Sequence, residues 1–325
     1  MLQFTRSVPE ARRWAYRAKV KLVAHWLGDA WTFGMESRDE FIPIPQCPVH
    51  SAMVNNALAV LANALPPPDV FPLRYFVQSG ALITLVLKTK KLPAADWLTR
   101  EVIEALSQTG ICGLHLNLHP AAGRILFSKS WHSLWGETRV QDALGLWHGP
   151  AAFAQLIPEL YAESLDLAES FLAPAANDAV IDLCSGIGVS LQRWAARGAR
   201  CIGVECDGDA IACAALNAPR AEMLRGLCSQ RLPQLREWTQ QRVGLLLAYV
   251  NPPRLGLEPE VLAWLCNEAQ PERIAYLSCS AGTLRRDLSA LTKAGWQVMN
   301  LQPFDFFPQT HHVETLALLT RSPAA

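Results

Sequence analysis

The sequence predicts an α/β protein in which a doubly wound, mostly parallel sheet is preceded by a smaller α+β domain. After about Gly149, buried apolar runs alternate strictly with helical segments, which is typical of a parallel sheet covered by helices on both faces. Before that point the apolar runs come in pairs, as antiparallel strands do, with two helical segments among them. We place the boundary after residue 140, which gives domains 1–140 and 141–325.

The first domain is predicted to hold a mainly antiparallel sheet. Its helices are expected after Cys47 and before Gly110, because apolar residues recur there at helical spacing. The predicted strands are 16–26, 73–80, 81–91, 110–118 and 123–131, and the predicted helices are 50–65 and 95–110.

The second domain is predicted to alternate strands with helices and to end in two strands without a helix between them. That last pair suggests an antiparallel hairpin at one edge of a seven-stranded sheet. The predicted strands are 179–183, 201–207, 244–254, 273–280, 297–307 and 312–321, and the predicted helices are 190–198, 209–218, 258–269 and 283–295.

The totals predict a folded protein that does not enter a membrane. A hydrophobic fraction of 50% in 325 residues is enough to fill two cores. The longest apolar runs fall well short of the roughly 20 residues that a membrane span needs, and the N-terminus has no apolar signal core. We therefore expect a cytoplasmic protein.

Charge gives no global indication of a partner, because 29 basic residues balance 29 acidic ones. Locally, basic residues are concentrated between Arg6 and Lys21 and again between Lys88 and Lys91. These clusters fit either solvated faces or a surface that contacts phosphates.

The nine cysteines are scattered and include no Cys-x-x-Cys pair. An odd number without regular spacing does not form a secreted disulfide framework, so we expect reduced thiols and no structural zinc.

A glycine turn follows the first strand of the second domain in the stretch VIDLCSGIG. Gly186 and Gly188 let the backbone turn tightly beside a ligand, and Glu205, at the end of the next strand, could accept hydrogen bonds from both hydroxyls of a ribose. The turn lacks the G-x-G-x-x-G pattern of dinucleotide binders. With Asp182 before the glycines, it is the variant usual in Rossmann-like methyltransferases that bind S-adenosylmethionine. The alternative is that the glycines serve only a tight turn.

Three further segments, VNPPRLGLEPEVL, AYLSCSAGTLRRDL and PFDFFPQTHHVETLALL, closely resemble the RNA uracil-5-methyltransferase family. The match runs from about Gln155 to the C-terminus. The resemblance implies an S-adenosylmethionine-dependent enzyme that makes 5-methyluridine in transfer or ribosomal RNA, which would be its partner. We expect it to act as a monomer.

Methylation of uracil at carbon 5 requires two catalytic groups, and the resemblance implies a residue for each of them. Carbon 5 is too weak a nucleophile to attack a sulfonium methyl group unless a thiolate first adds to carbon 6, and Cys279 lies at a strand end before a helix, where a thiolate would be stabilised. A base must then remove the proton from carbon 5. In the family that base is the glutamate of an H-x-E motif, here Glu314.

The resemblance also implies the residues that contact the cofactor. Gln155 corresponds to the glutamine of the family's F-x-Q segment. Asn251 replaces the aspartate with which the family's Asp-Pro-Pro-Arg motif usually begins. Cys184 replaces an aromatic residue that packs near the cofactor in the family. After Cys279, Ser280-Ala281 replaces the usual Asn-Pro.

Many bacterial members bind a [4Fe-4S] cluster through four cysteines, and Cys47 matches only the last of them. The three preceding cysteines are absent, so no iron-sulfur cluster is expected. We also expect no small RNA-binding barrel before Tyr16.

Two alternatives remain at the level of sequence. One is a divergent paralogue that binds RNA without methylating it efficiently. The other is a methyltransferase acting on a small molecule or on cytosine, although the Ser278-Cys279 context does not match the Pro-Cys or Thr-Cys of cytosine-5 enzymes.

Overall fold

The computed structural model describes residues 1–38, 40–123, 125–153 and 155–321, and the chain divides into two compact units. The N-terminal unit is Glu10–Leu156, and the C-terminal unit consists of Met1–Pro9 together with the chain from Ile157 onward. This division lies after Leu156 and not after residue 140, and it places the first nine residues with the second unit. The reason is that backbone hydrogen bonds attach the N-terminus to the last sheet, as described below.

The N-terminal unit contains a seven-stranded sheet in the order β3-β2-β1-β4-β5-β6-β7 among its described residues. Neighbouring strands are antiparallel apart from β5 and β6, which are parallel and joined through α2, so the prediction of a mainly antiparallel sheet is confirmed. The elements are β1 (Lys19–Leu27), β2 (Ala30–Ser37), β3 (Glu40–Pro43), α1 (Ala52–Ala64), β4 (Leu73–Ser79), β5 (Leu82–Leu87), α2 (Arg100–Gln108), β6 (Gly113–Leu118), β7 (Trp131–Gly136), β8 (Val140–Gln141) and β9 (Trp147–His148), with a short 3-10 helix at Glu10–Arg12.

Two predicted elements of this unit differ in the structure. The helix predicted from residue 95 begins only at Arg100, because Thr99 is its N-cap and its hydroxyl accepts a hydrogen bond from the backbone of Val102 at 3.5 Å. The strand predicted over 123–131 is wrong for its described residues, since β7 begins at Trp131. The Asn117 side chain takes the place of a strand partner there, accepting from the Ser128 N–H at 2.8 Å and donating to the Ser128 carbonyl at 3.1 Å.

The C-terminal unit contains the predicted alternation of strands and helices. Three elements of this unit were not predicted from the sequence: the helix Pro158–Leu172, the strand Glu222–Arg225 and the helix Leu232–Gln240. The elements are α3 (Pro158–Leu172), β10 (Ala179–Leu183), α4 (Val189–Ala196), β11 (Arg200–Glu205), α5 (Gly208–Asn217), β12 (Glu222–Arg225), α6 (Leu232–Gln240), β13 (Leu246–Val250), α7 (Pro259–Trp264), β14 (Arg273–Ser278), α8 (Ala281–Lys293), β15 (Trp296–Phe304) and β16 (Glu314–Arg321), with a 3-10 helix at Ser229–Arg231 and a π-helical turn at Leu265–Ala269.

The described strands of this unit form a seven-stranded sheet in the order β12-β11-β10-β13-β14-β16-β15. The strands from β12 to β14 are parallel, and β16 and β15 form an antiparallel edge. The central strands, AVIDL and LLAYV, are buried along their whole length, as expected for a sheet covered on both faces. This confirms the predicted mostly parallel sheet with an antiparallel hairpin at its edge.

The first residues of the chain extend this sheet beyond β15. The Gln3 N–H donates to the Leu301 carbonyl at 2.9 Å, and the Arg6 N–H donates to the Pro303 carbonyl at 2.9 Å. Arg6 also forms an ion pair with Glu163 of α3. At least this residue of the basic N-terminal cluster therefore has a carboxylate partner within its own unit.

Across the described ranges, no helix is long and apolar enough to cross a membrane.

Candidate active site

The predicted site residues of the C-terminal unit meet at one edge of its sheet. Four of them lie at the carboxyl ends of parallel strands: Cys184 follows β10, Glu205 ends β11, Asn251 follows β13 and Cys279 follows β14. The carboxyl ends of parallel strands lie at the same edge of a sheet. Glu314 reaches the same edge because β16 is antiparallel to β14, with Ser278 opposite Thr315. Gln155 belongs to the N-terminal unit, so its predicted contact with the cofactor stays a prediction.

The turn after β10 is held in a conformation that favours glycine. Cys184, Gly186 and Gly188 have φ angles of 63°, 55° and 83°. A β-carbon at Gly188 would lie 3.1 Å from that of Ala214, which leaves almost no room for a side chain, whereas nothing lies within 4 Å of a β-carbon at Gly186. Gly188 therefore packs the turn against α5, and Gly186 borders open space.

Cys184 adopts the left-handed conformation although it has a β-carbon, at a cost of about 1 kcal/mol. Its sulfur lies 3.9 Å from the sulfur of Cys228, and this contact together with burial raises the pKa of the Cys184 thiol far above its ordinary value. The thiol therefore behaves as a neutral packing group, not as a nucleophile.

Glu205 is fixed by two backbone donors at this edge. One carboxylate oxygen accepts from the Gly186 N–H at 3.0 Å and the other from the Asp207 N–H at 2.8 Å. A carboxylate oxygen can accept two hydrogen bonds, so both oxygens retain capacity for a ligand. Asn251 is held near the same turn, since its N–H donates to the Leu183 carbonyl at 3.1 Å.

Cys279 is half-buried in a short turn between β14 and α8. The Ser278 hydroxyl donates to the Ser280 carbonyl at 3.1 Å and accepts from the Ser280 N–H at 3.2 Å, which fixes the backbone on both sides of the cysteine. Ser280 and Ala281 replace Asn-Pro here, and these bonds order the turn without the proline.

The pKa of the Cys279 thiol is raised, first by burial and then by the carboxylate of Glu314. A backbone N–H and the nearby guanidinium of Arg254 oppose this shift without cancelling it. The stabilised thiolate expected from the position before α8 is therefore wrong for the isolated chain. Because the Glu314 carboxylate affects the pKa of the Cys279 thiol, the two side chains lie within electrostatic reach of each other.

Glu314 is 3% exposed and begins β16 opposite Phe304 of β15. Its carboxylate also contributes, after burial, to raising the pKa of Tyr161 and of Tyr249. Glu314 therefore lies within electrostatic reach of Tyr161 and Tyr249 as well as of Cys279.

Residues 230–322 match the family described as tRNA (uracil-5-)-methyltransferase, and this match contains both Cys279 and Glu314. This part of the chain is therefore similar to members of that methyltransferase family.

The chain resembles other proteins over longer stretches. A protein of Enterococcus faecalis described as an uncharacterized RNA methyltransferase is 26% identical over 95% of this chain and 72% of its own length. A protein of Lactobacillus johnsonii with the same description is 32% identical over 74% of this chain and 54% of its own, so the chain spans about half the length of that relative.

A solved structure shares the fold. It is the tRNA (uracil-54, C5)-methyltransferase of Pyrococcus abyssi in complex with S-adenosyl-L-homocysteine, with a TM-score of 0.72 and 20% identity, covering 97% of this chain and 79% of that one.

The C-terminal unit has a pair of buried polar side chains that the sequence did not predict. Asp182 of β10 lies directly opposite Tyr249 of β13, and both are buried. One Asp182 oxygen accepts from the Trp194 indole at 3.2 Å. The side chain of Ser190 also interacts with Asp182, and the side chain of Tyr161 interacts with Tyr249. The only sign of this pair in the sequence is one polar residue in each of two otherwise apolar strands.

Burial raises the pKa of Asp182 to about 7, although bonds from Ser190 and Trp194 favour its charged form. The folded protein therefore holds this proton up to about pH 7, whereas the unfolded chain releases it near 3.8. The stability that the protonated group contributes is complete below about pH 4 and is lost as the pH rises to 7, by about 4 kcal/mol in total.

Asp182→Asn should abolish this part of the pH dependence. Urea denaturation at pH 4.5 and 8.0 is expected to show a loss of stability in the unsubstituted protein that the variant lacks. Asp69→Asn, which removes an exposed carboxylate, is the matched control. An unchanged pH dependence in Asp182→Asn would show that other groups cause it.

Among the residues described, no three His, Cys, Asp or Glu side chains are placed to hold a metal ion.

Proposed function

We propose that this chain is an S-adenosylmethionine-dependent enzyme that methylates carbon 5 of a uridine in RNA. The observation that carries the proposal is the pair Cys279 and Glu314, which lie on adjacent strands at the same sheet edge as the glycine turn and within electrostatic reach of each other. Uracil C5 methylation needs one thiol and one base, and this edge supplies both. We further expect the enzyme to be a cytoplasmic monomer.

The edge fits the cofactor. Open space borders Gly186, both Glu205 oxygens keep acceptor capacity, and Asn251 is held at the neighbouring strand end. Glu205 would accept from the ribose hydroxyls, and Cys184, Gly186, Gly188 and Asn251 would contact the rest of the molecule. When bound, S-adenosylmethionine supplies an electrophilic methyl group.

Cys279 would act first: its thiol releases its proton to solvent, and the resulting thiolate sulfur adds to carbon 6 of uracil. The new carbon-sulfur bond pushes the electrons of the 5,6 double bond into an enolate, which makes carbon 5 nucleophilic. Addition also removes the negative charge of the thiolate from the vicinity of Glu314 and delocalises it over the uracil ring. The repulsion that raises the thiol pKa in the free enzyme therefore favours the covalent adduct over the free thiolate.

Glu314 would act after carbon 5 has gained its methyl group. Its carboxylate takes the remaining proton from carbon 5, the electrons of that bond restore the 5,6 double bond, and the carbon-sulfur bond to Cys279 breaks. The thiolate is released, and Glu314 holds the proton. Its burial keeps solvent away from this carboxylate.

Incubation with labelled S-adenosylmethionine and bulk transfer and ribosomal RNA tests the proposal. We expect label in 5-methyluridine when the RNA is digested to nucleosides and examined by mass spectrometry. Label in a methylated cytidine or in a ribose would overturn the assignment to uracil.

Cys184 and Ser280-Ala281, which depart from the family pattern, favour a second candidate, an RNA-binding paralogue that methylates poorly. Isothermal titration with S-adenosylmethionine distinguishes the two. Failure to bind the cofactor, together with retained RNA binding, would support the second candidate.

A further inference from the structure

Leu255 lies in the loop after β13, directly after Arg254, and is 80% exposed. A single exposed leucine is common on protein surfaces and indicates nothing by itself. What sets Leu255 apart is the backbone that presents it and the site beside which it lies.

The backbone around Leu255 is held at several points. The Gly256 N–H donates to the Pro253 carbonyl at 2.8 Å, which closes a tight turn. From α8, the Arg286 guanidinium donates to the Leu255 carbonyl at 3.1 Å and the Thr283 hydroxyl donates to the Arg254 carbonyl at 3.2 Å. The turn therefore presents an apolar side chain to solvent from an ordered backbone.

The conformation of this turn requires a glycine at position 256. Its φ angle is 74°, and a β-carbon there would lie 2.7 Å from both the Arg286 guanidinium and the buried carboxylate of Asp287. Asp287 in turn accepts from the Leu257 N–H at 3.0 Å and from the Tyr276 hydroxyl at 2.7 Å. These buried bonds fix the residues after Leu255, so the leucine cannot fold inward without breaking them.

The same turn borders the candidate active site. Arg254 is close enough to Cys279 to lower the pKa of its thiol, and one Arg254 nitrogen lies 3.5 Å from the ring of His312. Val313, which follows His312 and precedes Glu314, is 42% exposed. The rim of the site thus combines exposed apolar side chains with a guanidinium that can contact a phosphate.

An exposed apolar side chain beside a guanidinium could contact both the stacked bases and the phosphates of an RNA strand. A uridine must leave its stack before a thiol can reach carbon 6, and the gap that it leaves is costly unless something fills it. Apolar side chains such as leucine fill such gaps in other nucleic-acid complexes. We propose that Leu255 enters the RNA stack in place of the extruded uridine, while Arg254 contacts the adjacent phosphate. This inference rests on the proposed function.

Leu255→Ala tests the inference with two RNAs, a hairpin whose target uridine is stacked and an unstructured uridine-rich strand. We expect kcat/KM for methyl transfer to fall at least about tenfold on the hairpin and to stay within about threefold on the unstructured strand. Leu255→Met, which keeps an apolar side chain of similar size, should retain hairpin activity. Val243→Ala removes another highly exposed side chain, 88% exposed and just before β13 at the opposite edge of the sheet, and should affect neither RNA.

A readout independent of turnover uses 2-aminopurine next to the target uridine of the hairpin. Binding of the unsubstituted protein should raise its fluorescence by opening the stack, and binding of Leu255→Ala should raise it much less. Equal losses of activity on both RNAs, or none on either, would overturn the inference while leaving the proposed function in place. If the unsubstituted protein methylates no uridine in these two RNAs or in bulk RNA, the proposed function fails and the inference falls with it.

Discussion

Cys279→Ala is expected to abolish methyl transfer to RNA, with a loss of about a thousandfold or more. Without the thiol, carbon 6 gains no covalent bond and carbon 5 does not become nucleophilic. Because Cys279 is only half-buried, removing its sulfur should cost little stability. Labelled methyl incorporation into RNA measures the effect, and isothermal titration should show that S-adenosylmethionine still binds.

The matched control is Cys112→Ala, which removes an exposed thiol from the N-terminal unit. It should leave transfer unchanged, which excludes a general effect of losing a cysteine. Full activity in Cys279→Ala would disprove the covalent mechanism, and loss of cofactor binding in this variant would assign Cys279 a different role.

Most of the C-terminal unit could be predicted because its signals are local. The strands AVIDL and LLAYV are apolar except for Asp182 and Tyr249, and glycines or prolines follow them, so strand and turn can be identified from short stretches. In contrast, β12 has the sequence EMLR and is exposed at both ends, so nothing in its composition separates it from a loop. It is a strand because β11 offers it a partner.

The N-terminal unit shows why an apolar run can mislead. The residues before Trp131 have the composition of a strand, yet the side chain of Asn117 in β6, 11 residues earlier in the chain, bonds to the Ser128 backbone. The division of the chain is another non-local property. It depends on hydrogen bonds between the first residues and β15, and no periodicity in the sequence reveals them.

The same difference between local and non-local signals decides which features of the candidate active site could be predicted. Residues at strand ends, such as Glu205 and Cys279, could be predicted because a parallel sheet brings its carboxyl ends together. The pairing of Asp182 with Tyr249 could not, because it requires the register of two strands that are separated in sequence by α4, β11, α5, β12 and α6. The raised pKa of Cys279 was also missed, since burial and the Glu314 carboxylate both depend on the folded arrangement.

Glu314→Gln is expected to stop the reaction one step later than Cys279→Ala does. Glutamine has nearly the same shape as glutamate, so the packing at the start of β16 should persist, but its amide cannot take the proton from carbon 5. Cys279 can still add to uracil and the methyl group can still be transferred. The methylated RNA should then remain attached to the protein, and turnover should fall by about a hundredfold or more.

This variant should also make Cys279 more reactive, which separates the proposed mechanism from a merely structural role for Glu314. The Glu314 carboxylate raises the pKa of the Cys279 thiol, so its removal should lower that pKa and increase the thiolate fraction at a given pH. Alkylation of Cys279 by iodoacetamide near pH 7.5, followed by peptide mass spectrometry, should therefore be faster in Glu314→Gln than in the unsubstituted protein.

Denaturing gel electrophoresis with labelled RNA detects the covalent adduct directly. A band that survives denaturation should accumulate with Glu314→Gln and be absent from the double variant Cys279→Ala, Glu314→Gln, because the bond to RNA requires the sulfur. Normal turnover by Glu314→Gln without an adduct would show that another group removes the proton. Slow turnover without an adduct, together with unchanged alkylation of Cys279, would show that Glu314 maintains the site without acting on either the thiol or carbon 5.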